Sequence, residues 1–217
     1  MRSQAGNTTP RAALERGLGE LALVLPGDAL GKLLAYLELL AKWNKTYNLT
    51  AIRDPLQAVS VHLLDSLAVL RELAGRDGAL ADVGSGGGLP GIPLAIAEPA
   101  RRVTLNDANE KKGAFLRQAV IELGLSNADV HVGRVEQWHP AQQFAVVITR
   151  GFASLVDFIS ACRHLVAPGG ALAAMKGAYP VAELAQLPAG CDCGDVRRLE
   201  VPLLDAERHL VFCRVAA

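Results

Sequence analysis

The segment Asp82-Val83-Gly84-Ser85-Gly86-Gly87-Gly88-Leu89-Pro90-Gly91 follows the short apolar run Ala79-Leu80-Ala81, and a lone acid, Asp107, ends the next apolar run. Glycines at this density let backbone approach a ligand at distances that a Cβ would block. A strand, a glycine turn and a carboxylate about 20 residues further on are the parts of a Rossmann-type nucleotide site. The chain is therefore expected to hold a nucleotide-like cofactor on an α/β sheet. A dinucleotide fingerprint needs Gly-x-Gly-x-x-Gly directly after the strand, and counting from Gly84 puts Leu89 where the third glycine belongs. The pattern present is acid-x-Gly-x-Gly-x-Gly.

That spacing resembles motif I of class I S-adenosylmethionine methyltransferases, in which the acid before the first glycine points at the amino-acid end of the cofactor. The resemblance nominates Asp82, Gly84, Gly86 and Gly88, with Asp107 at the ribose, as cofactor contacts. The chemistry is consistent, because this cofactor carries an ammonium and a sulfonium but no phosphate, and carboxylates beside a pyrophosphate would repel it. Two other readings compete. Gly86 to Gly91 fits the dinucleotide pattern in a shifted register, but starts late after the strand and has Pro90 inside it. A glycine turn without ligand would need fewer glycines.

From Ala79 onward short apolar runs alternate with helical patterns, the signature of a parallel doubly wound sheet. The expected strands are Ala79-Val83, Val103-Asp107, Val130-Val132, Phe144-Thr149 and Ala171-Lys176, followed by an antiparallel pair, Val196-Leu204 and Leu210-Val215. This is an α/β class I Rossmann-like methyltransferase layout, a seven-stranded mostly parallel sheet, here with an N-terminal helical extension. In the extension, Leu30, Leu33, Leu34, Leu37, Leu40 and Ala41 recur at helical spacing behind Pro26-Gly27-Asp28. A second helix opens with Asp54 as N-cap and Pro55 as its first residue, and Leu56, Val59, Leu63, Leu67 and Leu70 form one stripe. Gly75 to Gly78 marks the boundary, giving residues 1–76 as extension and 77–217 as methyltransferase domain. Asn109 is expected to cap the helix that carries Phe115 and Leu116, and Gly124 to close it.

An apolar fraction of 51% over 217 residues fills one large core. No run approaches the ~20 apolar residues of a membrane span, and Met1 to Pro10 lacks the apolar centre of a signal peptide. The expectation is a cytoplasmic monomer without membrane association. Cys162, Cys191, Cys193 and Cys213 show no paired metal-ligand spacing, so no metal is expected and all four read as reduced, non-catalytic thiols. With 22 basic and 22 acidic residues, no global field draws the chain to nucleic acid.

Methyl acceptors mark the end of the fourth strand, which here reads Ile148-Thr149-Arg150-Gly151-Phe152-Ala153. The Asn/Asp-Pro-Pro-aromatic signature of exocyclic amine methylation is absent, and no cysteine stands where attack on cytosine C5 needs a nucleophile. A ring nitrogen such as guanine N7 fits this absence, since its lone pair lies in the base plane and no proton must leave. Catalysis then reduces to positioning, with no general base. Guanine presents O6 beside N7, so Arg150 and Lys176 are the candidates to grip O6 while N7 stays free.

Several blocks together are more specific than the glycine loop. They are Lys42-Trp43-Asn44-Lys45-Thr46-Tyr47-Asn48-Leu49-Thr50-Ala51-Ile52-Arg53-Asp54-Pro55, His62-Leu63-Leu64-Asp65-Ser66-Leu67, Arg134-Val135-Glu136, Arg150-Gly151-Phe152-Ala153-Ser154-Leu155, Lys176-Gly177 and Glu207-Arg208-His209-Leu210-Val211. With the glycine motif they resemble the 16S rRNA guanine-N7 methyltransferase family (RsmG, also GidB) from about Leu30 to Val215. The resemblance implies S-adenosylmethionine as cofactor, 16S rRNA or the small ribosomal subunit as partner, and a guanine near the decoding site as acceptor. It puts Gly84, Leu89, Val135, Glu136 and Arg150 on cofactor-contacting positions, Glu136 toward the adenosine end. The chain departs from the family pattern at Ala145, usually Asp, at Gly151, usually Ala, and at Val61, often basic.

Plainer roles stand beside these. Trp43, Asn44, Lys45 and Tyr47 read either as a helix end with core aromatics or as a substrate RNA surface, which the resemblance favours. His62, Asp65 and Ser66 fit a buried hydrogen-bond network as well as RNA contact. Lys111 and Lys112 read as solvated, Trp138 as packing, and Arg208-His209 stays open. Lys176, at the ligand edge of a central strand, would be a costly buried amine without a partner, which favours function. A base leaving a folded loop would stack on Phe152 or Tyr47. A small-molecule methyltransferase and a non-catalytic RNA-binding assembly factor are the rival classes. Intact motif I and Asp107 argue against the second, and the basic, aromatic N-terminal blocks against the first.

Overall fold

The computed structural model describes residues 9–215; residues 1–8, the start of the expected extension and most of the stretch read for a leader, lie outside the described residues. Thr9 caps α1 (Pro10–Glu20), its side chain accepting from the Ala12 N–H, and Pro10 supplies the preset first turn. Helix α2 (Ala29–Tyr47) runs as its apolar spacing predicts and ends at Asn48 in a left-handed conformation.

The second predicted helix is segmented. It starts as expected, with Asp54 accepting from the Gln57 N–H and Pro55 at N1 of α3 (Pro55–Ala58), then widens to a π-helical stretch from Val59 to Leu64. It returns to α geometry in α4 (Asp65–Leu67) and tightens to 3-10 turns at Ala68–Arg71. Of the apolar stripe, Val59, Leu63 and Leu67 are buried, whereas Leu56 is exposed. A π segment adds a residue to the turn and re-aims the groups that follow, a geometry common at functional sites. Helix α1 lies close against this stretch, and a Cβ on Gly17 would stand 2.3 Å from Leu64 Cδ1.

Beyond Gly78 the chain alternates as the pattern requires. The elements are β1 (Leu80–Val83), α5 (Gly91–Ala97), β2 (Val103–Asp107), α6 (Glu110–Glu122), β3 (Ala128–Val132), β4 (Phe144–Arg150), α7 (Leu155–Cys162), β5 (Val166–Lys176), α8 (Val181–Leu184), β6 (Cys191–Arg198) and β7 (His209–Val215). Asn109 caps α6 through two backbone N–H groups, and Gly124 follows its C-terminus with positive φ. The seven strands form one sheet in the order β3-β2-β1-β4-β5-β7-β6. Strands β1 to β5 pair in parallel, whereas β7 is antiparallel to both β5 and β6. Only β7 is therefore reversed, and β6 points the same way as the parallel set.

Two corrections concern the C-terminal third. Strand β6 lies earlier than the expected Val196-Leu204, because Pro202 has no N–H for a ladder and Leu203 has positive φ, so residues 199–208 form the connection. The second concerns the cysteines. The pairings Cys191↔Val215 and Asp192↔Arg214 bring Cys193 opposite Cys213, and the two form a disulfide. The reading of four reduced thiols fails because cysteines 20 residues apart become neighbours once β6 and β7 pair. Cys162 and Cys191 are free.

One hydrophobic cluster takes in Leu14, Leu33, Tyr36 and Leu63 from the helical part together with Leu80, Leu105, Ile148 and Phe212 from the sheet. A second cluster on the other face joins Val83, Val147 and Leu172 to Leu155, Phe158 and Ile159 of α7.

Candidate active site

Topology brings the C-terminal ends of β1, β2, β4 and β5 to one edge, where ligands bind in open α/β sheets. The glycine loop turns there. Gly84, Gly86 and Gly88 all have positive φ, and a Cβ on Gly88 would stand 2.3 Å from Ile92 Cδ1, so glycine is demanded by both backbone and space. Gly84 has nothing within 4 Å of where a Cβ would be, leaving its outer side open.

Asp107 acts on this loop directly. Its Oδ2 accepts from the Gly86 N–H at 2.9 Å and its Oδ1 from the Asn109 N–H at 2.9 Å, while Lys112 Nζ lies 3.7 Å from Oδ2. Asp82 works from below, fully buried, with Oδ2 accepting from the Gly91 N–H at 2.9 Å. Its Oδ1 has no partner among the described residues. Burial pushes the Asp82 carboxyl up to about 6, against the opposing pull of the nearby Ser85 hydroxyl, the Gly91 N–H and Arg150. Leu89 is buried in the larger core cluster. Val135 and Glu136 lie on a 3-10 turn after β3, Val135 buried in the second cluster and Glu136 exposed at the same edge.

Arg150 ends β4. Its Nη1 donates to the Val61 carbonyl at 2.9 Å, within the π-helical stretch, and to Asp65 Oδ2 at 3.1 Å. Its charge reaches both the loop and the helices, since it opposes the upward shifts of Asp82 and of buried Tyr36 and helps burial hold His62 down near 4. Lys176 ends β5 with its Nζ 2.8 Å from Glu183 Oε2, so the amine has the partner that sequence alone did not supply. A depression of about 400 Å³ brings Arg150, Phe152, Met175 and Lys176 together with Val61, Asp65 and Arg208.

The block at the end of α2 divides. Asn44 turns inward, its Nδ2 donating to the Thr50 carbonyl at 2.9 Å and its Oδ1 accepting from the Thr50 N–H at 3.0 Å, so it closes a turn. Trp43 packs on Phe115 and Tyr47 at ring separations of 5.6 and 5.2 Å. Lys45 is exposed and Tyr47 is 41% exposed, leaving these two to face outward. His62 and Ser66 belong to the buried network, through Thr50 Oγ1 to His62 Nε2 at 2.9 Å and Ser66 Oγ to the His62 carbonyl at 2.6 Å.

Sequence reasoning missed the Val61 carbonyl, Glu183 and Tyr36, and left Asp65 and Arg208 out of the site. For Asp65 the signal existed, a carboxylate inside an apolar helical run. Among the described residues no group of three or more His, Cys, Asp or Glu could hold a metal ion, and no helix is long and apolar enough to cross a membrane.

This sheet order, with the glycine loop after β1, an acid ending β2 and an arginine ending β4, defines a class I Rossmann-like methyltransferase. Solved structures of that architecture superpose on it. A SAM-dependent methyltransferase from Aquifex aeolicus aligns with TM-score 0.56 at 20% identity, covering 82% of this chain and 98% of that one. A DhpI–SAH complex aligns with TM-score 0.54 at 18% identity, covering 93% and 98%. At these identities the likeness is one of fold.

The sequence relatives go further. The profile of the GidB family, rRNA small subunit methyltransferase G, matches residues 29–211. Curated proteins named ribosomal RNA small subunit methyltransferase G are 52% identical over 205 residues in Herminiimonas arsenicoxydans, spanning 93% of this chain and 94% of the relative, and 52% identical over 198 residues in Laribacter hongkongensis, spanning 91% and 95%. The chain belongs to the rRNA small subunit methyltransferase G family.

Proposed function

We propose that this chain transfers a methyl group from S-adenosylmethionine to N7 of one guanine in the 16S rRNA of the small ribosomal subunit. The observation that carries the choice of acceptor is the composition of the depression beside the cofactor edge, which holds three cationic side chains and an aromatic ring, while its carboxylate, Asp65, is committed to two arginines. A site without a free base suits a nucleophile that loses no proton.

The residues present fit the cofactor. A buried carboxylate oxygen without a donor, Asp82 Oδ1, answers an ammonium group, and the open side of Gly84 leaves room for a ligand against backbone. Asp82 and the glycine loop would hold the amino-acid end, Asp107 the ribose hydroxyls and Glu136 the adenosine end. The bound sulfonium supplies an electrophilic methyl carbon. Arg150 donates to guanine O6, and Lys176, already neutralised by Glu183, lines the far wall. Phe152, half-buried against Phe158, and the outward-facing Tyr47 offer stacking faces for an extruded base. The rate gain lies in holding N7, methyl carbon and sulfur in line.

The test incubates the protein with labelled cofactor and small subunits, or their naked RNA, from cells lacking this modification, followed by digestion to nucleosides. A single 7-methylguanosine is the expected product. Label in another nucleoside, or in metabolites and not RNA, overturns the reading.

A further inference from the structure

We propose that Asp65 is the positioning residue of this site, a single buried carboxylate that fixes Arg150 and Arg208 as one coupled pair of guanidinium groups facing the substrate. The inference rests on the RNA methyltransferase reading above and extends it to two residues outside the motif ends.

Asp65 joins three parts of the chain that are distant in sequence. It sits on α4 immediately after the π-helical stretch, its Oδ2 takes Nη1 of Arg150 at 3.1 Å from the end of β4, and its Oδ1 takes Nε of Arg208 at 2.9 Å from the residue before β7. With its side chain 3% exposed and both oxygens engaged, the carboxylate itself does not reach a substrate. The arginines do, since their side chains are 24% and 22% exposed on the wall of the same depression. The bonds that hold them use Nη1 of Arg150, on Val61 and Asp65, and Nε and Nη1 of Arg208, on Asp65 and the Glu207 carbonyl. Each guanidinium has five N–H donors, so Nη2 of both stays available for the O6 and phosphate oxygens of an RNA substrate.

One carboxylate between two guanidiniums sets both position and charge. The trio carries one net positive charge, and without the carboxylate two like charges would face each other with only the Val61 and Glu207 carbonyls to hold them. The π-helical stretch contributes twice, by supplying the Val61 carbonyl and by setting the direction in which Asp65 leaves the helix.

The experiment compares wild type, Asp65→Asn, Arg150→Ala and the double variant in the full chain, measuring kcat and KM for small-subunit RNA, cofactor affinity and melting temperature. Asp65→Asn is expected to lower kcat about 100-fold, the scale of an ångström-sized misplacement. KM for RNA should stay level or fall, because the depression gains positive charge, and cofactor affinity should hold within about threefold of wild type. Added to Arg150→Ala, it should lower kcat by less than it does in wild type, since only the Arg208 share is left to lose. A kcat within about threefold of wild type, or parallel losses of kcat, cofactor affinity and melting temperature, overturns the proposal. Should Asp65→Asn not fold, Arg208→Gln decides, with kcat expected to fall at least about tenfold at unchanged cofactor affinity and an unchanged kcat counting against the pair. Wild type that transfers no methyl to guanine N7 would instead remove the functional reading beneath it.

Discussion

The phenolic hydroxyl of Tyr36, a wholly buried residue in the middle of α2, donates to the carbonyl of Gly87 in the glycine loop. Leu40 of the same helix crowds this glycine, since a Cβ on Gly87 would stand 3.1 Å from Leu40 Cδ1, with the Leu49 carbonyl in ordinary contact at 3.7 Å. The loop is thus shaped from above by the helical extension and from below by Asp82. Tyr36→Phe leaves a buried carbonyl without its donor, which removes about 1–3 kcal/mol. A lower melting temperature and a weaker cofactor Kd by several-fold are expected, by thermal melts and cofactor titration. A variant matching wild type in both would show that the loop holds its shape without Tyr36.

Arg150→Ala should reduce methyl transfer by at least about 100-fold. Arg150 also satisfies the Val61 carbonyl and half of Asp65. A stability loss of about 1–3 kcal/mol should accompany the loss of activity. Denaturant unfolding beside a labelled-methyl assay checks both, and near-normal transfer removes Arg150 from the mechanism.

Two buried groups give opposing pH dependences. His62 has its pKa held down near 4 by burial and by Arg150, so the unfolded chain takes up this proton first as pH falls. Its contribution to stability is complete above its ordinary value of 6.5 and is lost as pH falls toward 4. Asp82, raised by burial from 3.8 to about 6, behaves oppositely, its folded state keeping the proton longer and losing stability as pH rises from about 4 to 6. Each swing is about 3 kcal/mol at full size. Relative to wild type, Asp82→Asn should therefore gain stability between pH 4.5 and 6.5, and His62→Gln should lose it, in urea unfolding at the two pH values. Changes of the same sign in both variants would contradict the burial of one of them.

The disulfide between Cys193 and Cys213 closes a short loop, and a crosslink of that span stabilises by about 3 kcal/mol through the unfolded chain. Cys213→Ser should lower the melting temperature by several degrees while leaving methyl transfer intact, as neither cysteine lines the depression. Thiol counting in denaturant without reductant should find two reactive groups rather than four. Four groups would mean that the pair is reduced in the isolated protein.

What could be read from the chain depended on how local the cause was. Motif I, the strand before it and Asp107 lie within about one βαβ unit, and their geometry follows from glycine torsions and a nearby carboxylate. The caps at Asp54 and Asn109 are equally local. The partner of Lys176 is seven residues away across an irregular turn, with no periodic signal to reveal it. Asp65 meets Arg150 and Arg208 across 85 and 143 residues, contacts that exist only once the sheet is assembled and the π-helical stretch has turned the helix. The disulfide was hidden for the same reason, since its register depends on a strand that Pro202 displaces toward the N-terminus.

The boundary expected from the sequence at Gly75 to Gly78 would not separate the parts that shape the glycine loop. Residues that contact the glycine loop, Tyr36 and Leu40, and the outward-facing Lys45 and Tyr47 lie on one helix that precedes that boundary. A substitution at the outward end of α2 is therefore made on the same rod that steadies the glycine loop.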